Sequence, residues 1–207
     1  FQAIIMGQHA DDQAETVLKR IFEGSGLVNF KAMSSLGMIE KLTLWRPLLS
    51  IRKKDLLSYI KFLEKKGIED STNKDCKYLR ARMREKLIPQ LSEIFGKEIN
   101  SALCQLSTEA EDLYEYLDRK IQKYIVRKKI VENGFMYPFP EDIEKVEFRH
   151  LLRYIFLEHE IPINRTVMHE ILERQEEKNW GVCFRREGKV FFLRKVGVLV
   201  CADSIPS

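Results

Sequence analysis

The sequence has few cysteines, and none is placed to form a metal or redox site. Cys76, Cys104, Cys183 and Cys201 are scattered along 207 residues, and no Cys-x-x-Cys pair occurs. Zinc sites and thiol redox couples are typically built from such pairs. The pattern therefore disfavours both classes and favours free thiols in a reducing cytoplasm.

Long apolar runs, internal repeats, low-complexity tracts and a strong charge imbalance are also missing. The apolar runs are much shorter than the roughly 20 residues that a membrane-spanning helix needs. The net charge is only +4, and the composition, 44% hydrophobic and 32% charged, is typical of globular proteins. The distribution of charge along the chain is therefore more informative than its total.

Residues 1–95 have the pattern of an α/β layer. An apolar strand at 1–6 is followed by an apolar face at helical spacing from Asp12 onward, and a second strand is predicted at 42–45. A strand, a helix and a strand with glycines between them indicate part of a parallel α/β layer. Because the chain opens on Phe1 inside a strand, we expect that sequence upstream of it is missing.

The second part of the chain, residues 96–207, is predicted to be mainly α-helical with a terminal β-hairpin. From about Glu98 the apolar residues alternate steps of three and four, which indicates one long helix with a seam for partner helices. Two shorter helices fit residues 142–159 and 164–177, and strand-type residues flank Glu187-Gly188 as in a hairpin. The two prolines of "FMYPFPED" indicate a linker or a sharp turn.

The stretch "GQHADDQAET", Gly7 to Thr16, concentrates carboxylates at the start of the first helix. Asp12 and Glu15 are three residues apart, so they share one helix face and fit an Asp form of the capping box. The stretch also follows directly on the end of a buried strand, where open α/β sheets bind ligands. The spacing leaves both interpretations open: helix capping, or the binding of a magnesium ion or an ammonium group.

Two further stretches carry polar groups. The loop "IEDSTNKD" crowds acidic, hydroxyl and amide side chains, which turn formation alone would explain. The helix in "KYLRARMREKLI" has a basic run interrupted only by Glu85, which favours phosphate binding over a merely solvated face. Pro89 is predicted to end this helix. The basic residues are Lys77, Arg80, Arg82, Arg84 and Lys86.

A second basic cluster, Arg119 to Lys129, closes the long helix. Lysines near a helix C-terminus are also favoured by the helix dipole, so part of this cluster has a structural explanation. Two basic clusters on separate domains would nevertheless suit an extended polyanion such as RNA. His150, His159 and His169 are separated and are interpreted as surface or packing residues.

Taken together, three stretches resemble successive motifs of the tRNA(Ile)-lysidine synthases. They are "GQHADDQAETVLKRIFEGSGLVNFKAM", "WRPLLSIRKKDLLSYI" and "IEDSTNKDCKYLRARMREKLIPQL", and their order and separations also match. The resemblance covers residues 1–95 strongly, whereas the remainder is compatible with the helical substrate-binding domain of that family.

The resemblance implies a partial, doubly wound PP-loop ATP pyrophosphatase domain at residues 1–95 and a helical tRNA-binding domain at 96–207. It also implies an activity. Members of the family use ATP and Mg²⁺ to adenylate carbon 2 of the wobble cytidine in the isoleucine tRNA with the anticodon CAU. The amino group of free lysine then displaces AMP, in a cytoplasmic reaction.

The resemblance also implies roles for individual residues. Asp12 and Glu15 would hold the lysine ammonium, while His9 and Asp11 would line the nucleotide and metal side, with Asp11 as the candidate Mg²⁺ ligand. Arg46 and Gln13 would bind the nucleotide. The other assigned residues would shape the lysine and cytidine pocket or stabilise phosphate charge: Glu69, Asp70, Thr72, Asn73, Arg80 and Arg82.

The sequence departs from the family pattern at three places. Gln8 stands where a second histidine is usual, and Ala81 where an asparagine is usual, so a titratable group and a polar contact are lost. The phosphate-binding loop Ser-Gly-Gly-x-Asp-Ser does not occur. Because the backbone N–H groups of such a loop hold the ATP phosphates, we expect that this chain alone does not turn over ATP.

Other functions stay open on the residues alone. Another PP-loop tRNA-modifying enzyme, such as a thiolase, would need catalytic cysteines or an iron–sulfur site, which the scattered cysteines disfavour. A non-catalytic RNA-binding fragment, or a plain helical scaffold, would account for the same helices. We also expect that the incomplete sheet has an exposed edge able to pair with a second copy in a homodimer.

Overall fold

The computed structural model describes residues 3–39, 42–65, 77–131, 134–162, 164–186 and 188–202. It divides into two compact units, Phe1–Tyr114 and Glu115–Ser207. The division falls inside the long helix, later than the boundary of 95/96 predicted from the sequence. Several predicted site residues lie outside the described residues: Glu69, Asp70, Thr72 and Asn73.

In its described residues the first unit contains a small sheet and five helices, and the last helix continues into the second unit. A 3₁₀ helix and a π-helical segment interrupt the regular elements. In chain order they are β1 (Ala3–Ile5), α1 (Ala10–Phe22), the 3₁₀ helix (Leu27–Lys31), β2 (Leu36–Ile39), β3 (Leu42–Trp45), α2 (Lys53–Phe62), α3 (Leu79–Arg82), the π-helical segment (Met83–Leu87), α4 (Ile88–Phe95) and α5 (Ile99–Ile125).

The sheet of the first unit has the order β1-β3-β2. β1 pairs in parallel with β3, from Ala3 opposite Thr43 to Ile5 opposite Trp45, which confirms the strand–helix–strand prediction. β2 pairs antiparallel with β3 and was not predicted. Its sequence, "LGMI", is short and contains a glycine, so it carries little strand signal.

A capping box of Asp12 and Glu15 would require helix α1 to begin after Asp12. The helix begins earlier, at Ala10. His9 is the N-cap residue, and its backbone N–H donates to the Asp12 carboxylate at 3.0 Å. The capping carboxylate is therefore Asp12 in the third helical position, and Glu15 caps nothing. The capping prediction was right that Asp12 caps this terminus, and wrong about its position in the capping box and about Glu15.

The core of the first unit forms where α1 packs on the later helices. Ala14, Val17 and Leu18 of α1 are buried with Met83, Ile88 and Leu103. The spacing of the α1 residues places them on one helix face. Because Leu103 lies on α5, the first turns of the long helix complete this core.

The prediction that Pro89 ends its helix is wrong. α3, the π-helical segment and α4 follow one another without a break, and Pro89 lies in the first turn of α4. The backbone N–H of Ile88 donates to the Met83 carbonyl, the wider ring of a π turn. Proline is tolerated in the first turn of an α-helix, which is the position it has here.

The second unit is more strand-rich than predicted. Its elements after α5 are β4 (Lys129–Val131), β5 (Gly134–Pro138), α6 (Lys145–Glu158), α7 (Arg165–Glu176), β6 (Gly181–Arg186), β7 (Lys189–Arg194) and β8 (Gly197–Ala202). The two shorter helices and the β6–β7 hairpin confirm the corresponding predictions.

The five strands form one antiparallel sheet in the order β4-β5-β8-β7-β6. The prediction of a mainly helical domain with only a hairpin is therefore corrected, as is the assignment of "FMYPFPED" to a linker. Its first half is β5, which pairs with β4 and β8. Pro138 is the last residue of this strand, where the missing N–H is tolerated. The proline therefore did not indicate a linker here.

Helices α6 and α7 cover one face of this sheet. Phe148, Leu151 and Ile155 of α6 are fully buried against Phe191 and Val200, among others. No helix of the described residues is long and apolar enough to cross a membrane.

Candidate functional site

The carboxylates that follow β1 lie together on the first turns of α1, but they have different partners. The Asp11 carboxylate accepts hydrogen bonds from Arg52 Nη2 at 3.0 Å, Asn100 Nδ2 at 2.6 Å and the Lys53 backbone N–H at 2.8 Å. Both Asp11 oxygens are thereby engaged. Asp11 joins α1 to the starts of α2 and α5.

These bonds decide the ionisation of Asp11. Burial alone would raise the pKa, but the hydrogen bonds from Arg52, Lys53 and Asn100 outweigh it and lower the pKa to about 2. Arg52 also pairs with Glu98 at 2.6 Å. Asp11 is therefore a permanently charged clamp at neutral pH.

Asp12 and Glu15 converge on a single cation, Arg84. Arg84 Nη2 lies 3.0 Å from Asp12 Oδ1, and Arg84 Nε lies 2.6 Å from Glu15 Oε1. The Asp12 and Arg84 side chains are 22% and 27% exposed, and that of Glu15 only 3%. The predicted ammonium-binding pair thus does meet on a positively charged group, supplied by the protein itself.

Glu15 is the most deeply buried of these acids. Burial raises its pKa, although the hydrogen bond and the charge of Arg84 oppose that shift. Its second oxygen, Oε2, is buried and accepts no hydrogen bond from any described residue. A buried carboxylate oxygen without a donor is costly, and it is a position where a ligand's donor would be stabilised.

His9 lies beside the carboxylates. Its Nδ1 is 3.4 Å from Asp12 Oδ2 and 3.7 Å from Asp11 Oδ2, and it has no hydrogen-bond partner among the described residues. The ring is mostly buried. The predicted neighbourhood of His9, Asp11, Asp12 and Glu15 is therefore compact.

Gln13, assigned to the nucleotide by the resemblance, is buried and fully bonded within the protein. Its amide nitrogen lies 2.9 Å from the Lys31 carbonyl, 3.0 Å from the Met33 carbonyl and 2.7 Å from the Ser107 hydroxyl. Its amide oxygen accepts from the Met33 N–H at 3.0 Å. These bonds fix the segment after the 3₁₀ helix.

Arg46 lines an open cavity of about 680 Å³, and Ala10 and Gln13 of α1 also line it. Its Nε donates to Gln8 at 2.5 Å and its Nη1 to the Ser34 carbonyl at 3.0 Å. Gln8 therefore orients this arginine. The cavity is also lined by Met33, Trp45, Pro47, Cys104 and Glu111.

Two predicted site residues of the basic helix have a different environment from Arg84. Arg80 and Arg82 are exposed, and Arg82 donates to the Lys77 carbonyl at 2.8 Å. Ala81 is buried, so the apolar residue at that position packs inward. The structure thus assembles Asp12, Glu15 and Arg84, while Arg80 and Arg82 are not among the residues bonded to the two carboxylates.

A magnesium ion does not fit the carboxylates as they are arranged here. Among the described residues, no group of three or more His, Cys, Asp or Glu side chains could hold a metal ion. Asp11, the candidate ligand, uses both oxygens for protein donors.

The sequence reasoning missed three residues of this site: Arg52, Asn100 and Arg84. Arg84 was within the basic run, but nothing in the spacing distinguished it from Arg80 and Arg82. The available signal was the pair of acids on α1, since buried carboxylates need a cationic partner. Which arginine supplies it depends on the fold.

The basic cluster of the second unit is largely paired. Arg119 pairs with Glu115, Lys123 with Glu147 and Lys128 with Glu158. The helix α6 carries a different pair, Arg149 and Arg153, four residues apart and without an acidic partner among the described residues. Burial and the neighbouring Arg149 charge lower the pKa of Arg153. Unpaired guanidinium groups of this kind favour an anion such as phosphate.

The chain is similar to known proteins along much of its length. Residues 1–91 match the PP-loop domain family. The chain is 35% identical over 175 residues to a tRNA(Ile)-lysidine synthase of Chlamydia trachomatis serovar D, covering 84% of this chain and 54% of that protein. It is 33% identical over 199 residues to the Chlamydia pneumoniae tRNA(Ile)-lysidine synthase, covering 95% and 62%.

A third relative, the tRNA(Ile)-lysidine synthase of Chlamydia caviae, is 43% identical over 122 residues, covering 59% of this chain and 38% of that protein. The chain thus spans about half the length of the curated relatives it matches. The resemblance to the tRNA(Ile)-lysidine synthases that the three motifs predicted is confirmed.

Proposed function

We propose that this chain, whose residues 1–91 match the PP-loop domain family, is part of a tRNA(Ile)-lysidine synthase. The proposed reaction joins the amino group of lysine to carbon 2 of the wobble cytidine in the isoleucine tRNA with the anticodon CAU. ATP first adenylates this position as its α–β phosphate bond breaks and pyrophosphate leaves, and the new C–N bond then forms as the bond to AMP breaks.

One observation carries the proposal for the lysine site: Asp12 and Glu15 converge on one cationic group. Two carboxylates separated by one helical turn can bind and orient an ammonium group as they bind a guanidinium. The proton lost by lysine before attack needs an acceptor nearby. Glu15 Oε2, buried and without a donor among the described residues, is a suitable acceptor.

The nucleotide side of the proposal rests on Arg46 and the cavity beside it. The match to a PP-loop domain supports the use of ATP, and a guanidinium is a strong ligand for phosphate. Arg46 is held by Gln8 and Ser34 with its guanidinium at the cavity wall. The bonds of Gln13 favour a role in shaping this wall over direct contact with the nucleotide.

The tRNA partner is supported by the second unit. Arg149 and Arg153 carry two unpaired charges on α6, as judged within the described residues, and phosphate contacts of this type dominate the affinity of proteins for nucleic acids. Arg80 and Arg82 of the first unit are exposed and remain candidates for phosphate contacts. Lysine, ATP and tRNA occur together in the cytoplasm, which is the compartment we propose.

The test uses the complete protein that contains this chain. Asp12→Asn is expected to abolish lysine-dependent AMP release and the incorporation of labelled lysine into tRNA transcript. Glu23→Gln is the matched control, since Glu23 is the C-cap residue of the same helix and forms an ion pair with exposed Lys19. Wild-type turnover by the Asp12 variant would overturn the assignment.

A second candidate applies to the 207-residue chain by itself: an RNA-binding fragment without catalytic activity. The absent Ser-Gly-Gly-x-Asp-Ser loop motivates it. The fragment is then expected to bind tRNA in a salt-sensitive manner but to release neither AMP nor pyrophosphate. ATP-dependent lysine incorporation by the fragment alone would exclude this candidate. ATP-dependent thiolation of tRNA by the fragment would also exclude it, because that reaction belongs to a different PP-loop enzyme.

A homodimer through the small sheet is a further proposal. Within the described residues β1 has a strand neighbour only on the side of β3, and Ile5 and Met38 of this sheet are 65% and 73% exposed. An unpaired edge beside exposed apolar side chains favours pairing with a second copy. Light scattering over a concentration series tests it; a constant monomer mass at high concentration would reject it.

A further inference from the structure

Arg84 is the one residue of the basic run that turns inward to the acids of α1. Lys77, Arg80, Arg82 and Lys86 are exposed, whereas Arg84 is partly buried. Arg84 lies in the π-helical segment Met83–Leu87. Single π turns are rare and occur often at functional sites, because the extra residue in the turn changes the direction of the side chains around it.

The guanidinium bonds to one oxygen of each carboxylate. It takes Asp12 Oδ1 at 3.0 Å and Glu15 Oε1 at 2.6 Å. The other oxygen of Asp12 accepts the His9 backbone N–H. Of the four carboxylate oxygens of Asp12 and Glu15, Glu15 Oε2 is the one that accepts no hydrogen bond from a described residue.

Without Arg84, the two acids would face each other across one helical turn. Like charges at this spacing repel, and Glu15 is almost completely buried, which disfavours its charged form. The other charged groups that act on Glu15 are Asp12, which opposes its ionisation, and Arg80, which favours it. Of these cations, only Arg84 donates a hydrogen bond to Glu15.

We propose that Arg84 is a positioning residue of the lysine site: its guanidinium holds the carboxylates of Asp12 and Glu15 side by side and charged, and leaves Glu15 Oε2 open for the substrate ammonium. This inference rests on the proposed function. In this arrangement Arg84 touches neither lysine nor nucleotide, and acts only through the two acids.

The kinetic test replaces Arg84 in the complete protein. Arg84→Gln is expected to raise the KM for lysine by about tenfold or more, because a charged hydrogen-bond partner is lost, with a much smaller change in the KM for ATP. The acidic limb of kcat/KM for lysine should move to higher pH, since Glu15 then keeps its proton longer. Arg84→Lys should restore part of both effects.

The control is Lys61→Gln, which removes one charge at an exposed position of α2 in the same unit. It should change neither KM nor the pH profile. Equal losses for lysine and ATP, or an unchanged pH profile in Arg84→Gln, would overturn the inference. If the Asp12→Asn enzyme is inactive but Arg84→Gln behaves as wild type, this inference fails while the proposed function stands.

A second measurement keeps the inference testable if Arg84→Gln folds poorly. The Glu15 side chain is titrated by carbon-13 NMR in the wild-type chain and in Arg84→Lys. The Arg84→Lys side chain keeps the positive charge but lacks the planar guanidinium that bonds Asp12 and Glu15 together. The pKa of Glu15 should therefore be measurably higher in this variant than in the wild type. An identical titration in both proteins would overturn the positioning role.

Discussion

The Gln13 amide donates to the Ser107 hydroxyl at 2.7 Å, although the two residues are 94 positions apart in the chain. The same hydroxyl donates to the Lys31 carbonyl at 2.9 Å. A buried side chain therefore links α1, the segment after the 3₁₀ helix and α5 at the wall of the Arg46 cavity. Residues that bound nucleotide directly would keep polar atoms free, and Gln13 does not.

Gln13→Leu is accordingly expected to act first on stability. It leaves the Met33 carbonyl and N–H without the Gln13 partner, whereas the Lys31 carbonyl keeps the Ser107 hydroxyl. Unsatisfied buried groups cost about 1–3 kcal/mol each when water cannot replace the bond. Urea unfolding of the first unit should show the loss. Gln105→Leu is the control, because Gln105 is exposed and bonds only to Glu109. An unaltered unfolding midpoint with weakened ATP binding would instead support a nucleotide contact.

The Asp11 clamp predicts a dependence of stability on acid pH. The folded-state pKa of about 2 is below the ordinary 3.8, so the clamp stabilises the protein fully above about pH 4. The contribution is lost as the pH falls toward 2, and solvent screening limits it to roughly 1 kcal/mol. The difference between wild type and Asp11→Asn in urea unfolding should shrink over that range. A difference independent of pH would contradict the clamp.

His159 predicts a second pH dependence, in the second unit. Burial lowers its pKa below the ordinary 6.5, and its Nε2 lies 2.6 Å from the buried Tyr137 hydroxyl, which donates to Glu158. The unfolded chain binds a proton at higher pH than the folded one. The free energy of unfolding should therefore fall as the pH drops below about 6.5.

The two tryptophans allow this effect to be followed separately. Trp180 packs on the core of the second unit, and Trp45 belongs to the first. In a Trp45→Phe background, fluorescence then reports unfolding of the second unit alone. His159→Gln should weaken the pH dependence between about pH 7 and 5. An unchanged slope would show that another group titrates there.

Gly134 is required by the close approach of β5 and β8. A Cβ at this position would lie 2.1 Å from the Val200 carbonyl oxygen and 2.6 Å from Cys201 Cα. Because both obstacles are backbone atoms, Gly134→Ala should cost about 1–3 kcal/mol through strand displacement. At Gly7 a Cβ would meet no atom within 4 Å, so Gly7→Ala is the control. Equal stability of the two variants would contradict the strand pairing.

Arg149 and Arg153 predict a phosphate contact in the second unit. Replacing both with glutamine should weaken tRNA binding and reduce the slope of log affinity against log salt by about 2, or about 1 per lost contact. Arg119→Gln with Lys123→Gln removes the same charge at the same spacing from residues that already pair with Glu115 and Glu147. Equal slopes for the two double variants would reject a specific contact.

The helices of this protein could be predicted because their cores are local patterns. The apolar spacing of α1 located both the helix and its buried face, and the seam of α5 did the same over a longer range. The strand β4 was missed because three residues carry little periodic signal, and β5 was missed because it contains a glycine and a proline. β4 pairs with β5, and β5 pairs with β8, about 65 residues later in the chain.

The candidate site divides in the same way. The sequence by itself determined the chemistry: the acids of α1, an arginine-rich helix and motifs that resemble the tRNA(Ile)-lysidine synthases. Only the tertiary structure decided which groups meet, because hydrogen bonds and burial join residues that spacing cannot relate. Asp11 pairs with Arg52 and Asn100, and Gln13 with Ser107. Arg84 bonds both Asp12 and Glu15. It does so from a π turn, which a prediction based on the regular α-helical period does not include.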